Sequence, residues 1–423
     1  MTLKTQSTSK PEAKTTKTES KKKPRALVLM SGGLDSSLAA KMLKEQGVDV
    51  IGIYFYTGFC ITAQKSRTGL IDQPKSDVTK VAEQIGIPLE MIDISRDYIP
   101  MVSKPKYGYG KNMNPCIDCR IFMLRKAKDL MEFFDADFIA TGEVLGQRPK
   151  SQKPPTQRLI EKESGLEGIL IRPLSYKHFP ESIPEKKGWI QREKLGDITG
   201  RSRKKQMELA KKWGITEAAT PAGGCCFLAD ETYSIRFKDL LQERKKLLGD
   251  KAPELTDRDV VVLGLGRQIK IRPGLKLIIG RFEGENNVMY FYRQNRVYLE
   301  FPKEIPGPSA LIDSIATEQV PLPDSWKKAK TFLANNEDKL SNFEKIAQKI
   351  KVLTKTEMSG KELMLMAGIF LRYRKKNAPA ELPITLSFTD FEGNTLIKEK
   401  LTAIAYDEAD EIKNHILAKA TFS

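Results

Sequence analysis

Apolar positions along this chain change their spacing several times, and those changes divide it. Ala26–Met30 is an unbroken apolar run of strand length. Leu38, Ala39, Met42 and Leu43 follow at helical spacing, with Gly47 placed where such a helix would stop. The alternation then repeats. Val48–Tyr56 reads as a second strand, Ser76–Ile85 as a helix and Leu89–Ile94 as a third strand. Cys116–Phe134 reads as a long helix, Asp137–Thr141 as a fourth strand and Gly168–Arg172 as a fifth. Strands that alternate with helices across short links imply a parallel sheet covered on both faces, the α/β class. Ligands of such sheets bind beyond the carboxyl ends of the strands, so the stretches after Met30, Tyr56 and Thr141 should open into one cleft.

The pattern changes after the fifth strand. Pro173, Pro180 and Pro184 block long helices, so the chain should cross there between units. Glu193–Leu195, Arg203–Trp213 and Glu231–Leu248 read as helical. Val260–Leu265, Leu275–Ile279, Asn287–Tyr292 and Arg296–Phe301 are short runs between turns, which predict an antiparallel sheet. Lys328–Ile350 and Lys361–Lys376 read as helices, with Pro383–Phe388 and Thr402–Ala405 as late strands. The expected plan is a disordered basic tail over 1–24, a parallel-sheet domain over 25–180, a helical segment over 181–250 and a smaller α+β domain over 251–423.

Charge narrows the class of partner. The 423 residues carry 71 basic and 54 acidic side chains, a formal charge of +17, which suits a polyanion and above all nucleic acid. Solubility charge and a basic tail are the plainer account. No apolar run is long enough to span a bilayer, and the lysine-rich start has no apolar core of a secretion signal. Five cysteines, one pair adjacent and one pair at Cys-x-x-Cys spacing, suit reduced cytoplasmic thiols used for chemistry or metal.

The candidate chemistry begins at Ser31-Gly32-Gly33-Leu34-Asp35-Ser36-Ser37, between the first strand and the first helix. A glycine pair there lets the backbone turn its N–H groups inward. With the helix N-terminus and the hydroxyls of Ser31, Ser36 and Ser37, those amides would cradle phosphate. The stretch lacks the lysine of a Walker A loop and the third glycine of a dinucleotide fingerprint. Asp35 inside an anion site calls for a cation, which suggests Mg²⁺. An ordinary glycine turn is the plainer alternative. The motif resembles the PP-loop of enzymes that cleave ATP to AMP and pyrophosphate, a group that includes thiouridine synthetases, tRNA lysidine synthetase and GMP synthetase.

Two further stretches sharpen that resemblance. Thr141-Gly142-Glu143 with Gln147 and Ser151-Gln152 resembles a loop of tRNA 4-thiouridine synthetases, which implies that Thr141, Gly142, Glu143 and Gln147 line the ATP site. Asn114-Pro115-Cys116-Ile117-Asp118-Cys119 opens the long helix, where the dipole favours a thiolate. Thr220-Pro221-Ala222-Gly223-Gly224-Cys225-Cys226 is a glycine turn ending in two thiols. These two stretches resemble the first and second cysteine segments of tRNA thiouridylases, with Cys226 standing where an apolar residue is usual. Two sulfur routes fit. One cysteine receives a persulfide and another resolves it, or Cys116, Cys119 and Cys225 ligate a 4Fe-4S cluster. A zinc set would need a fourth ligand, which Cys226 could supply, and Cys60 reads as an inert thiol.

Basic residues supply the RNA contacts. Gly200–Lys205 is a basic run whose Arg201 and Arg203 are candidate phosphate contacts, a solvated helix start being the alternative. Gly264–Gln268 and Ile279–Asn286 resemble the RNA-binding domain of ribosome quality-control proteins, which implies phosphate contacts at Arg267, Lys270, Arg272, Lys276 and Arg281. Bacterial 4-thiouridine synthetases carry an N-terminal RNA-binding module, for which a loop starting at Ser31 leaves no room, so the C-terminal domain is expected to substitute. The expectation is a tRNA sulfurtransferase that adenylates a uridine carbonyl and replaces its oxygen with sulfur from a cysteine desulfurase or sulfide. 4-Thiouridine is the expected product and 2-thiouridine the nearest rival. A non-catalytic RNA-binding factor with a degenerate nucleotide domain is the reading from another class.

Overall fold

In the computed structural model, residues 22–59, 77–218, 226–315, 318–354, 356–375 and 377–418 are described. Five strands, β1 (Arg25–Leu29), β2 (Asp49–Tyr56), β3 (Leu89–Asp93), β4 (Phe138–Thr141) and β5 (Leu170–Ile171), form one sheet in the order β3-β2-β1-β4-β5. Every pairing in it is parallel. β1 is central, and Ala26, Leu27 and Val28 are fully buried because both faces of the sheet are covered. The chain runs outward from β1 to β3 and then returns to lay β4 against the other side of β1, with Leu29 paired to Thr141. That reversal makes the crevice between the ends of β1 and β4 the switch point of the sheet.

Helices α1 (Leu34–Lys44), α2 (Asp77–Ile85), α3 (Ser95–Ser103), α4 (Cys116–Asp129) and α5 (Pro154–Ser164) accompany the strands. The periodicity missed α3 and α5, since each carries proline that reads as a break. Gly47 (φ 84°) follows α1 in the left-handed region, as a helix stop requires. Beyond the sheet come α6 (Lys204–Trp213) and α7 (Glu231–Leu248), the latter opened by Asp230, whose carboxylate accepts the Tyr233 N–H at 2.7 Å.

Two expected strands of the C-terminal region are helices. Val260–Leu265 falls largely in α8 (Asp257–Leu263), whose start is fixed by the Asp259 carboxylate accepting from the N–H and hydroxyl of Thr256 at 2.9 and 3.0 Å. Asn287–Tyr292 falls largely in α9 (Glu283–Phe291), where Val288 and Met289 are buried together with Tyr292 just past the helix end. The sheet is nevertheless antiparallel: β6 (Arg267–Arg272), β7 (Leu275–Ile279), β8 (Arg296–Glu300) and β9 (Ala310–Ser314) lie in the order β6-β7-β9-β8. β6 and β9 had not been expected. Lys328–Ile350 divides into α10 (Lys327–Asn335) and α11 (Leu340–Thr354). α12 (Gly360–Arg372) is buried continuously from Glu362 to Leu371, and β10 (Glu381–Thr389) pairs with β11 (Thr395–Ile404) as a hairpin.

The two units are joined through α7. The Arg236 guanidinium is 1% exposed and donates to the carbonyls of Leu263, Leu265, Gly266 and Leu417 at 2.9–3.3 Å. Burial, reinforced by Arg281, pushes Arg236 down to about 10. No helix among the described residues is long and apolar enough to cross a membrane.

Candidate functional site at the switch point

The Ser31–Ser37 loop leaves β1 with Gly32 in the left-handed region (φ 75°), where its own Cβ position would lie 3.1 Å from the Val78 backbone nitrogen. The Ser36 and Ser37 hydroxyls both donate to the Gly33 carbonyl, at 2.9 and 3.0 Å, and the Ser31 N–H donates to Ser36 Oγ at 3.2 Å. These bonds hold the turn closed over the first turn of α1. Asp35 lies in that turn.

The loop after β4 packs directly on it. A Cβ at Gly142 would lie 2.4 Å from the Ser36 nitrogen, so only glycine allows this approach of two backbones. Gln147 Nε2 donates to Asp35 Oδ2 at 3.1 Å. The other oxygen, Asp35 Oδ1, is buried without a hydrogen-bond partner, as an acceptor awaiting a cation would be. A tight glycine turn, a helix N-terminus and an open carboxylate oxygen fit a nucleotide phosphate accompanied by Mg²⁺.

Glu143 ties this corner to the cysteine helix. Its buried carboxylate faces Arg172 Nε at 3.3 Å and Arg120 Nε at 3.3 Å. Arg172 is 1% exposed and reaches Glu161 as well, at 3.0 Å. Arg120 sits on α4 beside Cys119, so the ion pair fixes the N-terminal end of α4 against the loop after β4. Arg120 was not legible beforehand, because nothing local distinguishes it from a surface arginine.

Cys116 is the first residue of α4 and Cys119 follows one turn later, with the Cys119 N–H donating to the Pro115 carbonyl at 2.8 Å. Both thiols are half-buried. Cys225 and Cys60 lie outside the described residues. Cys226 is described, half-buried against the same apolar cluster as Cys116 and Cys119. The residues after it bond to both neighbours: Phe227 N–H to the Phe59 carbonyl at 3.0 Å, and Met113 N–H to the Leu228 carbonyl at 3.2 Å. Among the described residues no group of three or more acidic, histidine or cysteine side chains is arranged to hold a metal.

The basic candidates fall in two places. Gly200 N–H donates to the Leu145 carbonyl at 2.8 Å, which sets Arg201, exposed, and Arg203, half-buried, beside the loop after β4. Arg267 opens β6 and lies over the Tyr373 ring at 5.0 Å, while Arg281 Nε pairs with Glu285 at 3.1 Å. Three other expected phosphate contacts are engaged by acidic side chains of the chain itself. Arg272 is buried against Glu362, and Lys276 is buried 3.9 Å from Asp313. Lys270 bridges Asp239 and Glu243 on α7, at 2.6 and 2.7 Å. Sheet and helix cover Arg272 and Lys276 and supply their counter-charges, and the half-buried Lys270 is tied to α7, so all three brace the fold.

A parallel sheet with a phosphate-cradling glycine turn at its switch point defines a nucleotide-binding α/β domain. Residues 24–159 match the family described as tRNA methyl transferase HUP domain. Over that portion the parallel sheet and its glycine turn have the form of a HUP domain, in line with the PP-loop motif. Its curated relatives include proteins named tRNA-specific 2-thiouridylase MnmA. That of Geobacter metallireducens is 30% identical over 58% of this chain and 64% of its own. That of Cytophaga hutchinsonii is 33% identical over 38% and 46%, and that of Petrotoga mobilis 32% identical over 29% and 35%. The chain thus spans between about a third and just under two thirds of these relatives' length. A solved 4-thiouridine synthetase–RNA complex with bound ATP aligns with 46% of this chain and 52% of its own at 19% identity and a TM-score of 0.28, too slight a likeness to bear on function.

Proposed function

We propose that this chain is an ATP-dependent enzyme that thiolates a uridine of tRNA, with 2-thiouridine as its product. The observation that carries the reading is the unbroken run of contacts from Asp35 and Ser36 through Gly142, Gln147 and Glu143 to Arg120 on the cysteine helix. It supports a reading in which the glycine turn takes phosphate and the thiols of α4 serve the same edge of the sheet. The names of the curated relatives favour the 2-carbonyl over the 4-carbonyl first expected.

In this scheme Ser31, Gly32, Gly33, Ser36 and Ser37 hold the phosphates of ATP, and Asp35 faces Mg²⁺, which would neutralise the pyrophosphate. Thr141, Gly142, Glu143 and Gln147 shape the wall beside the α-phosphate. The uridine oxygen attacks the α-phosphorus, the bond to the β-phosphate breaks, and pyrophosphate leaves. Oxygen carried on AMP is a far better leaving group than a bare carbonyl oxygen. A persulfide on one of Cys116, Cys119 and Cys225, loaded with sulfane sulfur by exchange with the persulfide of a cysteine desulfurase, attacks the activated carbon and AMP departs. A second thiolate then attacks the inner sulfur, forming a disulfide and freeing the thiocarbonyl, and a thiol reductant restores the pair. Positioning and charge stabilisation supply the rate. Arg201, Arg203, Arg267 and Arg281 would hold tRNA phosphates, with the C-terminal domain acting as the RNA-binding unit.

The test is incubation with ATP, a sulfur source and unmodified tRNA, followed by nucleotide analysis and nucleoside mass spectrometry. AMP, pyrophosphate and 2-thiouridine should accumulate together, and Asp35→Ala or Cys225→Ser should abolish the thionucleoside. ADP as the product, or unchanged thiouridine in cells lacking the gene, would overturn it. A brown, oxygen-sensitive protein would assign the three thiols to an iron–sulfur cluster.

A further inference from the structure

The segment Lys104-Pro105-Lys106-Tyr107-Gly108-Tyr109-Gly110-Lys111 precedes the cysteine helix and has no part in the scheme above. It is held in place from several sides. The buried Asp118 carboxylate, between the two cysteines of α4, accepts the N–H groups of Lys106 at 2.8 Å and Tyr107 at 3.0 Å. Lys150, from the loop after β4, donates to the Tyr109 carbonyl at 2.8 Å, and the Tyr109 hydroxyl donates to the Val102 carbonyl at 2.8 Å. Gly110 lies against the first thiol: its Cβ position would be 3.5 Å from Cys116 Sγ and 3.4 Å from Lys150 Cδ. The segment is thus a fixed lip over the sulfur end of the site.

Its charge is one-sided. No acidic residue occurs from Lys104 to Ile117, and Lys104, Lys106 and Lys111 are all exposed. Lys106 is engaged with Glu163 at 2.9 Å, while Lys104 and Lys111 stand at the two ends of the lip. We infer that this lip is the surface that holds the RNA strand flanking the target nucleotide, with Lys104 and Lys111 against its phosphates. The inference rests on the function proposed above. A target base must come within reach of the sulfur, so the phosphates beside it must pass over whatever borders Cys116, and that border is this basic loop.

The test compares binding of unmodified tRNA to wild type, Lys104→Ala/Lys111→Ala, and a control Lys186→Ala/Lys187→Ala on another exposed basic pair, across a salt series. Each phosphate contact adds about one unit to the slope of log affinity against log salt, or about tenfold in affinity near 0.1 M salt. The lip variant should therefore lose about 100-fold in affinity and about two units of slope, with ATP affinity unchanged and the control within about twofold of wild type. Unchanged affinity and slope in the lip variant would overturn the inference and leave the enzyme reading standing. Loss of sulfur loading with tRNA binding intact would assign the lip to the sulfur donor and overturn it equally. Absence of tRNA binding by the wild type would sink the enzyme reading and this one with it.

Discussion

The contact between Gly142 and the first turn of α1 makes a demanding prediction for Gly142→Ala. The new methyl group would stand 2.4 Å from the Ser36 nitrogen and 2.5 Å from both the Asp35 carbonyl carbon and the Ser36 Cα. All three are backbone atoms, so no side chain can rotate away. Ordinary contact begins near 3.4 Å, so the two loops must separate by about 1 Å. Overpacking of this kind costs about 1–3 kcal/mol of stability, a fall in melting temperature of a few degrees for a domain of this size. Turnover should suffer more, because about 1 Å of misplacement between reacting groups can cost roughly 100-fold in rate. Pyrophosphate release in the presence of tRNA, measured beside thermal unfolding, separates the two effects. A folded Gly142→Ala protein with kcat/KM within about twofold of wild type would refute the claim that this contact sets the site.

Two further outcomes follow from buried charge. Glu143→Gln removes the carboxylate shared by Arg172 and Arg120 and should cost about 1–3 kcal/mol, since it leaves the buried Arg172 guanidinium with Glu161 as its remaining counter-charge; it should also alter the alkylation rate of Cys119, and denaturant melts that match wild type would count against the pairing. In the C-terminal domain, burial would raise the Asp313 carboxyl, yet Arg296 and Lys276 outweigh it and hold the group below the ordinary aspartate value. A lowered folded value gives stability that is present above about pH 4 and is lost as pH falls through the folded value. Asp313→Asn should therefore flatten the acid limb of a denaturant-midpoint profile, and a variant with the wild-type slope would exclude this linkage.

Much of the N-terminal domain was legible in the chain because its signals are local. Unbroken apolar runs specify strands covered on both faces, and the glycine pair of Ser31–Ser37 can serve only a turn between β1 and α1. Helix α7 begins and ends where Asp230 and Gly249 bound it. The C-terminal domain misled where a short apolar run is ambiguous: Val260–Leu265 has strand composition, and a single capping carboxylate, Asp259, decides for helix. The order of the strands and the approach of Gly142 to Ser36 belong to the tertiary structure.

By itself, then, the sequence determined the α/β class, the glycine turn after the first strand and the thiols at a helix start, each written in a few adjacent residues. Only the tertiary structure decided what each charge is for. Arg120 and Arg172 converge on Glu143, whereas Arg272 and Lys276 are withdrawn into the second domain and Lys104 and Lys111 remain outside. The physical reason is that a cation reads the same in sequence whether it will be buried or solvated. Burial and the partners brought by distant segments decide whether it braces the fold or meets an anion from outside.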